Sequence, residues 1–64
     1  MQKENESPDI FEIKAARLAS GLSQSEAAKL IKSSKRSWEN WEQGRVKMHP
    51  GLFDYFLIKS GQKA

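Results

Sequence analysis

Residues 21–44 read GLSQSEAAKLIKSSKRSWENWEQG. Ser23-Gln24-Ser25-Glu26 has capping-box spacing, in which a serine hydroxyl and a glutamate carboxylate each satisfy an end amide of the helix they open. That helix is expected from Gln24 to about Ile31. Its Ala27 and Ala28 are small enough for another backbone to approach closely, although alanine is also the best helix former. Lys32-Ser33-Ser34 breaks the pattern, with Ser34 placed to cap a third helix and Gly44 placed to end it. Trp38 and Trp41, three residues apart, share one face of that helix, and Lys35, Arg36, Ser37, Asn40 and Gln43 take the exposed positions. The stretch therefore reads as two short helices joined by three residues, the second opening on two cations and backed by two tryptophans.

Upstream, Ser7-Pro8 is expected to start a first helix, since serine caps free amides and proline is tolerated in a first turn. Asp9 and Glu12 favour that same end through the helix dipole. The helix is expected to run to Ser20 and to end at Gly21, with Ile10, Ile13 and Arg17 on one face and Phe11, Ala15 and Leu18 on an adjacent one. Downstream, Arg45 to His49 reads as a connector. Pro50 opens a fourth helix, Gly51 to about Lys59, which Gly61 closes. Residues 1–7 are expected to be a disordered lead-in, 8–61 the folded domain and 62–64 a short tail. No strand pattern or repeat is visible.

Size bounds the rest. A chain of 64 residues is one domain near the lower limit for folding without a staple. With no cysteine it has neither a disulfide framework nor a thiolate metal site, and one histidine cannot build a zinc site on its own. The longest apolar run, Phe56-Leu57-Ile58, is far short of a membrane span. Residues 1–9 are polar where a secretory leader would be apolar, so a cytoplasmic location is expected. The net charge of +3 is uneven: Lys29, Lys32, Lys35, Arg36, Arg45 and Lys47 fall within nineteen residues that hold only Glu39 and Glu42 as acids. Such an excess suits a polyanion partner, and equally a solvated lysine-rich surface. A positively charged helix end braced from behind suits the reading of bases in a DNA major groove.

From Gln24 to Gly44 the chain resembles the Cro/repressor-like helix-turn-helix family, the xenobiotic-response-element type of regulator. Gln24 opens the second helix, Ala28 sits at its packed centre, Ile31 is its last core position and Ser34 caps the third helix. Trp38, Trp41, Glu42 and Gly44 fill the core, core, acidic and turn positions of a W-E-x-G ending. The likeness extends over roughly residues 10–58. Lys32 stands where the family has glycine and Ser33 where it has an apolar residue, and a lysine in a left-handed turn is strained. The family's fifth helix has only Gln62-Lys63-Ala64 to supply it here.

The resemblance implies an all-α, lambda-repressor-like bundle of four to five short helices, with a core including Ile13, Ala28, Ile31, Trp38, Trp41, Leu52, Tyr55 and Phe56. It implies that Arg17 pairs with Glu42; otherwise Arg17 would lie exposed with its stem along the core edge. It implies a phosphate contact for Gln24 and base-edge contacts for Lys35, Arg36 and Asn40; Ser34 and Ser37 stand beside these as candidate DNA contacts, and Gln43, Arg45 and Lys47 are candidate phosphate contacts. Arginine suits guanine and asparagine suits adenine. The tryptophans could stack on bases, but their spacing opposite the cations favours the core. His49 is isolated and has no metal or catalytic role assigned. No nucleophile, base and acid can be assembled, so an enzyme is not expected, nor are a cofactor, metal, membrane or small-molecule ligand.

The function expected is sequence-specific binding of double-stranded DNA as a repressor at a palindromic operator. The expected form is a homodimer made largely by helix four, because every residue of Leu52–Ile58 except Asp54 is apolar or aromatic and some of Phe53, Phe56 and Leu57 lacks cover. The rivals are an antitoxin-type interaction module that binds a partner through helix four, and an excisionase-like architectural role.

Overall fold

The computed structural model describes residues 6–64, so all but the end of the expected lead-in lies outside the described residues. Among the described residues four helices follow one another: α1 (Ile10–Ser20), α2 (Gln24–Leu30), α3 (Lys35–Gln43) and α4 (Pro50–Lys59). No strand occurs among the described residues, and none of their helices is long and apolar enough to cross a membrane.

The helix ends explain where the elements fall. α1 starts later than Ser7-Pro8 suggested. Asp9 caps it, its carboxylate accepting the Glu12 N–H at 2.8 Å while the Glu12 carboxylate accepts the Asp9 N–H at 2.9 Å. This reciprocal box satisfies two groups where a serine cap would satisfy one. Ser23 and Glu26 form the same box at α2, at 3.1 and 2.9 Å. The Ser23 backbone and hydroxyl hydrogen bonds hold the Glu26 carboxyl below its usual range. Ser34 caps α3. At α4 the cap is His49, whose Nδ1 accepts the Gly51 N–H at 2.9 Å. That lone histidine is thus a local structural device.

α3 is the central helix, packed by both α1 and α2, while α4 closes on α2. Trp38 has no solvent exposure; its ring lies 5.6 Å from Trp41 edge-on and 4.9 Å from Phe56 at a tilt. Such aromatic pairs add to the large apolar area each ring hides. Ile13, Ala16, Ala27, Ala28, Ile31, Met48 and Phe56 complete the buried core, with Leu22, Leu30, Leu52, Phe53 and Leu57 half-buried against it. The tryptophans are therefore core residues, unavailable for stacking on bases. Ala27 and Ala28, wholly buried, bring α2 close to its neighbours.

One expectation about α4 is corrected: Tyr55 is 38% exposed and no core residue, whereas Phe56 is wholly buried in the core, as expected, and so leaves no surface for a partner to cover. Burying Phe56 with Leu52, one turn earlier, leaves Tyr55 and Ile58 pointing outward. α1 is apolar on both sides, since Ile13 and Ala16 face in while Phe11 and Leu18 remain 77% and 60% exposed. After α4 the chain turns back at Gly61, whose φ is +81°. The Gln62 side-chain amide then donates to the Ala16 carbonyl at 3.0 Å, and Lys63 meets Asp54 at 3.1 Å.

Candidate nucleic-acid interface

The first turn of α3 stands at the surface. The Ser34 hydroxyl accepts the Ser37 N–H at 3.1 Å and lies 3.1 Å from the Ser37 hydroxyl, so the cap is closed by the chain's own serines. Lys35 and Arg36 follow, both exposed. Lys35 approaches Glu39 at 3.8 Å, but an exposed pair of this kind contributes little and leaves the ammonium available. Arg36 has no acidic partner among the described residues. Asn40 is half-buried and Gln43 exposed, on the side of the helix away from the tryptophans.

Gly44 ends α3 with φ +79°, and the Asn40 carbonyl accepts the Arg45 N–H at 3.0 Å. This left-handed turn sends Arg45 and Lys47, both exposed, off the end of α3. Cations therefore flank α3 at both ends. Four other acids, Glu6, Asp9, Glu12 and Asp54, line with Lys63 a cleft of 490 Å³ between the start of α1 and α4.

What holds α3 in place is Glu42. Its Oε2 accepts Arg17 Nε and Trp38 Nε1, each at 2.6 Å, and its Oε1 accepts Gln24 Nε2 at 3.2 Å and Arg17 Nη2 at 3.3 Å. Arg17 Nη1 also donates to the Leu22 carbonyl at 3.1 Å. One carboxylate thus ties α1 and α2 to α3. The Arg17 and Glu42 side chains are only 13% and 6% exposed. Burial pushes the Glu42 carboxyl up, but hydrogen bonds from Arg17 and Trp38, the Arg17 charge and the Gln24 amide outweigh it and hold it below the usual range. Among the described residues no buried side-chain polar atom lacks a partner, as a cluster of this kind requires.

The structure thus brings Lys35, Arg36, Ser34 and Ser37 together at one helix end and forms the Arg17–Glu42 pair. It places Gln24 half-buried at the start of α2, with its amide turned to Glu42. The parts of the network that sequence reading missed are the Trp38 and Gln24 hydrogen bonds. Trp38 stands four residues before Glu42 on one face, a readable signal; Gln24 lies eighteen away and carries none. No group of three histidine, cysteine or acidic side chains among the described residues is arranged to hold a metal ion.

Two short helices crossing through a tight turn, the second presenting a basic end from a fixed core, define a helix-turn-helix module, a class of DNA-binding element. The chain belongs to the helix-turn-helix domain family, whose model matches residues 11–57. It is also similar to the type II methyltransferase M.MspI of Moraxella sp, with 30% identity over 56 residues, which make up 88% of this chain. The chain spans 13% of that relative's length.

Proposed function

We propose that this protein binds double-stranded DNA sequence-specifically and represses transcription from a palindromic operator as a symmetric dimer. The observation that carries this reading is the exposed start of α3, where Lys35 and Arg36 project from a helix braced by Trp38, Trp41 and the Glu42 network. On this reading α3 enters the major groove N-terminus first, Lys35, Arg36 and Asn40 read base edges, and Arg45 and Lys47 set the register on phosphates. Gln24 keeps one amide hydrogen on Glu42 and offers the other to the backbone. The exposed Tyr55 and Ile58 of α4, one turn apart, supply a two-fold contact.

The likeness to a stretch of a type II methyltransferase bears on this module alone, so the chain is read as a regulator and not as an enzyme. The same exposed Tyr55 and Ile58 support a second reading, an antitoxin-type module that holds a protein partner through α4. Selection of bound sites from a random duplex pool tests the choice. Enrichment of an inverted repeat is expected, and loss of enrichment when Lys35 and Arg36 are both replaced by alanine. A pool that yields no enriched sequence overturns sequence-specific recognition and leaves the interaction module.

A further inference from the structure

The turn leading into α3 holds a lysine where its backbone favours glycine. Beyond α2 the Lys32 N–H donates to the Lys29 carbonyl at 3.0 Å and the Ser33 N–H to the Ala28 carbonyl at 2.8 Å. This pairing is a Schellman turn, which puts its penultimate residue in the left-handed region. Lys32 accordingly has φ +58°. Among the described residues the other positive-φ positions, Gly21, Gly44 and Gly61, are all glycine. Among the described residues glycine thus fills every position of this conformation except Lys32.

The Lys32 side chain returns little to the fold. It is exposed, and none of the ion pairs among the described residues includes it. A cation gains something from the carboxyl end of α2, but this is smaller than the strain of a β-carbon in a left-handed turn. Residues kept in disfavoured backbone regions gather where function holds them. Lys32 precedes the α3 cap, Ser34, by two positions and Lys35 by three. A helix that enters a groove N-terminus first brings the chain before it across the groove's rim, where the phosphates stand.

We propose that Lys32 is a DNA-backbone contact, held by the strained turn so that its ammonium meets a phosphate at the rim beside Lys35 and Arg36. This rests on the DNA-binding reading above. Glycine would make the turn more stable; lysine exchanges some of that stability for affinity.

The test uses the full chain and a short random-sequence duplex, so no operator is needed. Affinity is measured across a salt series for wild type, Lys32→Gln, Lys32→Gly and Lys63→Gln, with a thermal melt of each. Lys63→Gln removes the same charge within the acidic cleft. Lys32→Gln should melt as wild type does, yet lose about 0.9 from the slope of log K against log salt. Lys32→Gly should lose the same slope while melting higher, and Lys63→Gln should keep the wild-type slope. Wild-type slopes in both Lys32 variants would overturn the contact. An equal loss in Lys63→Gln would reduce it to bulk charge, and a lower melt in Lys32→Gly would overturn the exchange of stability for affinity. A wild-type chain that fails to bind the duplex at all would instead remove the DNA-binding reading.

Discussion

Arg17 and Glu42, twenty-five residues apart, meet through two hydrogen bonds of 2.6 and 3.3 Å and join α1 to the helix that carries the basic end. Neither side chain keeps much water, so each depends on the other for solvation. Arg17→Ala should destabilise the domain by about 3 kcal/mol, the low end of the range for a stranded buried charge. The pair also sets a pH dependence. Because the Glu42 carboxyl is held below its usual range, its contribution is complete above the unfolded value of about 4.3 and fades as pH falls through the lower folded value. Melts of wild type and Glu42→Gln from neutral to acid pH check this: wild type should lose stability as pH falls from the unfolded value toward the lower folded one, and the variant less. Parallel curves would show that Glu42 is not the group concerned.

Trp41 is 7% exposed and stands edge-on to Trp38. Trp41→Ala should cost about 3–5 kcal/mol, as for other large buried rings, which in a chain this small approaches its whole stability. A calorimetric melt close to wild type would contradict the packing described.

The proposed contacts differ in kind, and binding data can separate them. Arg36→Ala should cost about 1–3 kcal/mol at the preferred site and relax base preference at one or two positions. Arg45→Ala or Lys47→Ala should weaken every sequence alike and flatten the salt dependence. Competition with single-base site variants reads the difference. Intact affinity and preference in Arg36→Ala would mean that α3 is not the reading element.

For the dimer, the residues to change are Tyr55 and Ile58 and not Phe56. Replacing both by serine should leave the melt nearly unchanged, because surface substitutions rarely matter. It should nevertheless abolish cooperative occupancy of two half-sites roughly 34 Å apart. Sedimentation across a concentration series, free and with a palindromic duplex, measures it. A wild-type chain that stays monomeric and binds one half-site as tightly as two would rule the dimer out.

Much of this molecule is settled by local chemistry and so was readable in advance. The Ser23–Glu26 box, the Ser34 cap and the glycine stops at Gly21, Gly44 and Gly61 rest on interactions within a few residues of chain. Spacing alone put Trp38 and Trp41 on one face and the cations on the other. The start of α1 is less legible, because Ser7 and Asp9 both present a capping group and only the reciprocal bond to Glu12 favours the second.

Capping and periodicity, which act over one or two turns, define the helices, their order and the basic character of the start of α3. Packing between helices is what turns Tyr55 outward, lets Met48 fill the core from an irregular connector and brings Gln24 to Glu42. Helix four is apolar nearly all round, so its own pattern does not separate Tyr55 from Phe56; contact with Trp38 selects Phe56. Met48 lies in no periodic element, and Gln24 meets Glu42 only because α2 crosses α3. Those relationships depend on how close the helices pack, and short-range sequence patterns do not encode that distance.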